Sequence, residues 1–156
     1  MSRPYEEILN GGTLPRSAPG DRHEIICARL HREMAVGIAG LGSTQLLAPR
    51  TKIQLSRTTA FCPDLALVTA ATGKLFLAVE IVSRDDHHAD TVIKKEIYEQ
   101  FRVPRLWMVD PRYDNVEIYH SFEFGLKLQG ILAGGESLRE KLVPQFKITM
   151  KELFAA

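Results

Sequence analysis

The spacing of apolar residues changes period several times along the chain. From Asp21, the residues Ile25, Ile26, Leu30, Met34 and Ala35 recur at the three- and four-residue steps of one helical face. Asp21 stands as the expected N-cap, with Glu24 three residues on as its capping-box partner, and Gly37, Gly40 and Gly42 as the stop. Ahead of this helix, Asn10 to Gly20 holds three Gly and two Pro in eleven positions, which predicts a turn after a short start at Tyr5 to Leu9. Strands are then predicted at Gln45–Leu47, Lys52–Leu55, Leu65–Thr69 and Leu75–Val82, the last two as a hairpin around Ala71-Thr72-Gly73.

The run Leu75-Phe-Leu-Ala-Val is continuously apolar, as in a strand covered on both faces. A second helix is predicted at Asp86 to Arg102, with Ile93, Ile97 and Phe101 at four-residue steps and Val103-Pro104 closing it. Further strands follow at Leu106–Val109, Val116–Tyr119, Leu126–Leu132 and Phe146–Ile148, with a short C-terminal helical piece. The alternation predicts an α/β (α+β mixed sheet) class, a central mixed sheet flanked by helices. One domain over residues 1–156 is expected, with 1–20 as an N-terminal extension and turn, 21–120 as the core, and 121–156 as C-terminal strands and a short helix.

Composition narrows this little further. With 156 residues, 45% of them hydrophobic, a core removing on the order of 70% of the chain's surface from water is within reach without a disulfide or structural metal. Disordered, collagenous and disulfide-stapled classes are excluded. Cys27 and Cys62 form no C-x-x-C pair and read as free thiols of a cytoplasmic protein. The first seven residues contain no apolar segment of signal-peptide length, and the longest apolar run is broken by Glu80, so neither a leader nor a membrane span is expected. A formal charge of +1 supplies no global attraction for a polyanion; nucleic-acid binding would need a local patch. Arg16, Arg22, Arg29, Arg32, Arg50 and Arg57, concentrated in the first third, are candidates to line a phosphate groove.

Asp64 and Glu80 have numbers that sum to 144, which centres the hairpin on Thr72, where the turn is predicted. They should therefore lie opposite one another or nearly so. Two facing carboxylates, one in a buried strand, call for a positive partner, either a hard divalent cation or a lysine. On the second helix, with Ile93 at zero, Ile97 and Phe101 fall at about 40° and 80°, Asp90 at about 60°, Lys94 at about 100°, Tyr98 at about 140° and Lys95 at about 200°. Lys94 borders the apolar stripe and can turn back toward the carboxylates, whereas Lys95 points away. Asp64, Glu80 and Lys94 together carry the charges needed for metal-assisted phosphodiester hydrolysis. The same residues also admit an ordinary reading, with Asp64 as a turn acceptor, Glu80 paired with an arginine, and Asp90 with Lys94 as an i,i+4 helix pair.

The succession Pro63-Asp64-Leu-Ala-Leu-Val, Leu77-Ala-Val-Glu80-Ile-Val-Ser83, Asp90-x-x-x-Lys94-x-x-x-Tyr98, Val103-Pro104, Trp107-Met-Val-Asp110-Pro111 and Val116-Glu-Ile-Tyr119 resembles the Uma-type restriction endonuclease family of the PD-(D/E)XK nuclease superfamily. The likeness runs from about Tyr5 to Phe154. It implies a restriction-endonuclease-like core and a Mg²⁺-dependent endonuclease, Mn²⁺ being a substitute, that hydrolyses DNA; with 156 residues leaving little room for a separate target-recognition domain, cutting both strands of a duplex calls for a homodimer. By the resemblance, Asp64, Glu80 and the Ile81 carbonyl are metal ligands, and Lys94 is the catalytic cation in place of a lysine two residues after the Glu, where this chain has Val82. His23 and Glu24, with Asp90 and Tyr98, are additional candidate site residues. The chain departs from the family at Arg102-Val-Pro-Arg105-Leu106-Trp107 and at Arg84-Asp-Asp-His-His. The alternative is a catalytically inactive nuclease-fold module that binds nucleic acid or protein partners.

Asp85, Asp86, His87 and His88 read as a solvated helix start rather than a metal cluster, since adjacent helical histidines point about 100° apart. Ser83 lacks a nucleophile-elbow context and reads as a strand end. Trp107 is expected in the core and Tyr119 on a half-buried strand.

Overall fold

The computed structural model describes residues 2–156. In chain order the elements are β1 (Tyr5–Leu9), β2 (Gly12–Arg16), α1 (Asp21–Ile38), β3 (Thr44–Leu46), β4 (Ile53–Gln54), β5 (Ala60–Phe61), β6 (Leu65–Thr69) and β7 (Leu75–Ile81). A π-helical turn, Ala89–Lys94, runs into α2 (Lys95–Gln100), followed by β8 (Arg105–Asp110), β9 (Asn115–Phe122), β10 (Gly125–Leu132), β11 (Ser137–Glu140), β12 (Val143–Thr149) and α3 (Met150–Leu153). Six strands form a central mixed sheet in the order β10-β9-β8-β7-β6-β3. Its one parallel pair is β7 with β8, and the chain crosses between them through the π-helical turn and α2.

The alternation of β6, β7 and β8 divides the core. Leu65, Leu67, Leu77, Val79, Ile81, Trp107 and Val109 face α1, β11–β12 and α3, where Ile26, Leu30, Met34 and Phe146 meet them. Ala66, Ala78, Leu106 and Met108 face α2 and the small sheet β2-β1-β5-β4, packing on Phe61, Ile97 and Tyr98. The hairpin register is the expected one: Leu65 pairs with Val79, Ala66 with Ala78 and Leu67 with Leu77, with a bulge only near the turn. Continued by one residue, this register sets Asp64 opposite Glu80.

Several expectations need correction. The helix at Asp21 begins one residue earlier in its cap: Gly20 is the N-cap, Asp21 is the first helical residue, and neither Asp21 nor Glu24 makes a capping hydrogen bond. Gly37 is the next-to-last residue of α1, which stops at Ile38, and its place is set by packing: a Cβ there would stand 3.0 Å from Val143 Cγ1 and 3.1 Å from Phe146 Cβ. The glycine lets α1 approach β12 closely.

The segment expected as a turn is a hairpin, β1–β2. Asn10 and Gly11 form its two-residue tip with φ of 50° and 82°, as a turn matched to the strand twist requires. On the second helix the buried residues are Asp90, Lys94, Ile97 and Tyr98, while Phe101 is exposed. The apolar stripe thus misplaces the inward face. Its spacing assumed an α-helix throughout, whereas the first six residues form the wider π-turn. The polar residues go inward because they have partners there.

Candidate active site

Two groups of charged side chains meet at the end of β7. The first gathers on the α2 side. Lys94 Nζ donates to Glu7 Oε2 at 2.7 Å and lies 2.6 Å from Glu80 Oε2. The Tyr98 hydroxyl donates to the same Glu80 oxygen at 2.5 Å. Arg16 extends from β2 to bridge Glu7 Oε1 at 2.5 Å and Asp90 Oδ1 at 2.6 Å, and it also reaches Asp86 Oδ2 at 3.3 Å. Asp90 Oδ2 accepts the Ser83 N–H at 2.9 Å, and Glu7 Oε2 accepts the Cys62 N–H at 2.7 Å. Glu7, Glu80, Asp90 and Lys94 are all 1% exposed or less. Asp90, Lys94 and Tyr98, four residues apart, therefore present one polar face to the sheet.

The second group lies toward α1. Asp64 Oδ2 accepts the Ile81 N–H at 2.8 Å across the hairpin. Its Oδ1 accepts from Arg50 at 3.1 Å and lies 3.3 Å from His23 Nε2. His23 Nε2 is also 3.2 Å from the Ile81 carbonyl oxygen. Glu24 accepts from Arg50 at 2.8 Å through Oε2, the oxygen that also accepts from Ser2 at 2.7 Å. Glu24 Oε1 and His23 Nδ1, 3.5 Å apart, are buried without hydrogen-bond partners.

The ionisation of these groups follows from burial and from the company they keep. Burial pushes the Glu80 carboxyl up to about 8, opposed by the Lys94 ammonium and reinforced by the charges of Glu7, Asp64 and Asp90. Burial alone would lower Lys94, but Glu80, Glu7 and Asp90 outweigh it and hold the ammonium above its ordinary value. Burial would raise Glu7, yet Lys94, the Cys62 N–H and Arg16 bring it below the usual carboxylate range. Asp64 is likewise lowered, its burial outweighed by the His23 hydrogen bond and charge, the Ile81 N–H and Lys94. His23 is raised, because the hydrogen bond to Asp64 and its charge outweigh the burial that disfavours an imidazolium.

On the α2 side, three fully buried carboxylates, Glu7, Glu80 and Asp90, face two cations, Arg16 and Lys94, and the partly exposed Asp86 adds a fourth carboxylate beside Arg16. Glu80 carries an uncompensated charge when ionised, and burial together with Glu7, Asp64 and Asp90 opposes that ionisation. A divalent ion beside Glu80 would supply the missing charge. The donors at the end of β7 suit a hard ion: Asp64 Oδ1, the Ile81 carbonyl, and Glu80, whose Oε1 makes no hydrogen bond among the described residues. Among the described residues no three His, Cys, Asp or Glu side chains converge to enclose a metal by themselves. An ion here would keep several waters, as Mg²⁺ commonly does.

Every residue expected from the sequence at this site lies within these two groups. The missed residue is Glu7; Arg16 and Arg50, expected to line a phosphate groove, are instead the partners of buried carboxylates. Glu7 has a signal in the alternation of β1, which puts it on one side with Tyr5 and Leu9, but its burial depends on the β1–β2 pairing through the Asn10-Gly11 turn. Arg16 is 5% exposed and its guanidinium is taken up by carboxylates, so it lines no phosphate groove. Arg29 donates to the carbonyls of Leu153 and Ala155, and Arg32 is an exposed side chain 3.7 Å from Glu33. Beside His23 a cleft of about 580 Å³ opens between the start of α1 and the end of β7, bordered by Arg22, Ser83, Arg84 and Arg112. His87 and His88 are exposed. Trp107 is in the core, and Tyr119 is more deeply buried than its strand pattern suggested, at 7% exposure.

A family model described as "Uma2: Putative restriction endonuclease" matches residues 3–151. No curated protein matches the chain. Among solved structures, the chain is similar to one described as a putative nuclease belonging to DUF820 from Anabaena variabilis. The TM-score is 0.80 and the identity 12%, with 97% of this chain and 90% of that chain covered. At that identity the likeness speaks for the fold, a nuclease-like one. No helix among the described residues is long and apolar enough to cross a membrane.

Proposed function

The chain belongs to the Uma2 family of putative restriction endonucleases, and on that premise we propose that it is a metal-dependent endonuclease that hydrolyses DNA phosphodiester bonds. The observation that carries this reading is that Asp64 and Glu80 fall opposite each other in the β6–β7 register, beside the Ile81 backbone, with Lys94 of the following helical turn 2.6 Å from Glu80. Asp64, Glu80 and the Ile81 carbonyl would hold a Mg²⁺ or Mn²⁺ ion. When bound, such an ion neutralises the scissile phosphate and makes an attacking water more acidic.

The chain's own residues account for the rest. Lys94 keeps a positive charge beside Glu80, so the buried carboxylate can ionise without its full desolvation penalty. Lys94 Nζ is fully buried, with Glu7 and Glu80 on two of its three donors and the Phe61 ring centroid 5.0 Å away, so it acts on the site through its charge. Tyr98 fixes the Glu80 carboxylate by its hydroxyl. Arg50 and the Ile81 N–H fix Asp64. Asp90, held by Arg16 and the Ser83 N–H, anchors the turn that aims Lys94 inward. The cleft beside His23 would take the nucleic acid, with Arg84 facing its backbone; Arg22 and Arg112 are paired with Asp114 and Asp110 and would have to exchange partners. Cutting both strands of a duplex calls for two copies of so small a chain.

The test is nicking of supercoiled plasmid by the wild type and by Asp64→Asn, with Mg²⁺, with Mn²⁺ and with chelator. The reading expects nicking only by the wild type and only with metal. Equal nicking by Asp64→Asn would reject the site, and metal binding without nicking would favour the inactive binding module.

A further inference from the structure

Arg50 lies against the Asp64 oxygen named above as a metal donor. Its guanidinium donates to Asp64 Oδ1 at 3.1 Å through one terminal nitrogen and to Glu24 Oε2 at 2.8 Å through the other. An uncommon backbone conformation holds it there. Arg50 has φ of 56°, in the left-handed region that non-glycine residues seldom adopt, and its N–H donates to the carbonyls of Pro63 at 3.1 Å and Asp64 at 3.2 Å. The main chain is thus pinned beside Asp64. The side chain is still 19% exposed, at the edge of an open cleft of about 550 Å³ that Ser2, Pro19 and Asp21 also border.

A divalent ion on Asp64 Oδ1 would set two positive charges against that guanidinium. The imidazole of His23, 3.3 Å from the same oxygen, can respond by giving up its proton. A guanidinium keeps its charge, so Arg50 can yield only by moving. Glu24 gives it a second place. Glu24 Oε2 already accepts from Arg50, whereas Oε1 is buried without a hydrogen bond, His23 Nδ1 standing 3.5 Å away. A carboxylate with one oxygen filled and the other open suits the two-pronged pairing that guanidinium and carboxylate favour. The N–H released from Asp64 would fill the open oxygen.

We propose that Arg50 is a positioning residue that keeps the place of the metal: it neutralises and orients Asp64 in the metal-free chain, and when a divalent ion binds it swings onto both oxygens of Glu24. This rests on the metal-dependent reading above and adds the chain's own competitor for that site. Arg50 therefore weakens metal binding while keeping Asp64 aligned in the absence of an ion.

The experiment is calorimetric titration of Mn²⁺ into the full chain as wild type and as Arg50→Gln, with melting temperatures taken with and without Mn²⁺, and a crystal structure of the wild type grown with Mn²⁺. Without metal, Arg50→Gln should melt below the wild type, because Asp64 and Glu24 lose their shared cation. It should bind Mn²⁺ about tenfold more tightly, the equivalent of one charge-assisted hydrogen bond that the wild type must surrender. Its melting temperature should also rise more when Mn²⁺ is added. A side chain that merely braced Asp64 would give the opposite sign. In the crystal, Arg50 should bond both oxygens of Glu24 and neither of Asp64, a result that needs no variant to fold. Mn²⁺ bound with Arg50 still on Asp64, or an affinity in Arg50→Gln equal to or below that of the wild type, overturns this inference and leaves the Asp64 and Glu80 site standing. Failure of both proteins to bind Mn²⁺ overturns the metal-dependent reading and this inference with it.

Discussion

Replacing Glu7 by alanine removes the carboxylate that joins the N-terminal hairpin to the centre of the molecule. Glu7 is fully buried and accepts from Lys94, Arg16 and the Cys62 N–H. Its loss leaves Lys94 with Glu80 and Arg16 with Asp90 and Asp86, so neither cation is stranded, but one buried N–H is. Breaking a buried ion pair from one side costs about 3 to 5 kcal/mol, and the surviving partners place this case near the lower end, at about 3 kcal/mol. With a urea slope of about 2 kcal/mol per molar, the unfolding midpoint should fall by about 1.5 M. Glu6→Ala, on the exposed side of the same strand, should change stability by less than about 0.5 kcal/mol. Urea unfolding at pH 7, followed by fluorescence of Trp107, measures both. A Glu7→Ala midpoint within experimental error of Glu6→Ala would refute the claim that this hairpin is pinned through the charged cluster.

Gly37→Ala should lower the melting temperature despite alanine's better helix propensity. Its Cβ would press on Val143 and Phe146, and overpacking of about 1 to 3 kcal/mol exceeds a propensity gain of about 1 kcal/mol; calorimetric melting checks the sign. His23 makes a pH-dependent contribution in metal-free protein. Because Asp64 raises the imidazole above its unfolded value near 6.5, the stabilisation is complete below that value and is lost as pH rises through the folded one. Denaturation in chelator should therefore show the wild type losing its advantage over His23→Asn toward alkaline pH. Asp64 gives the opposite trend. Its lowered carboxyl stabilises the fold above about 3.8, and that share disappears as pH falls through its folded value, which acid titration of the wild type against Asp64→Asn would show.

The legible parts of the sequence were those governed by local period and symmetry. The β6–β7 register followed from a two-fold relation about Thr72, and with it the opposition of Asp64 and Glu80. The crossover helix was harder, because hydrophobicity identifies a buried face only when the buried residues are hydrophobic. Here Asp90, Lys94 and Tyr98 are buried because carboxylates and cations from distant segments meet them, 87 residues away in the case of Glu7 and Lys94. No single-sequence period carries a pairing of that range. The β1–β2 hairpin had a local signal in Asn10-Gly11, which the surrounding Gly and Pro residues obscured.

The central claim is that Asp64 and Glu80 hold one metal on which cleavage depends. Calorimetric titration of Mn²⁺ into the wild type, Asp64→Asn and Glu80→Gln, with plasmid nicking assayed on the same samples, tests it most directly. The account predicts that binding and nicking are present together in the wild type and lost together in each variant. Nicking that survives in Glu80→Gln, or binding unchanged in both variants, would contradict it.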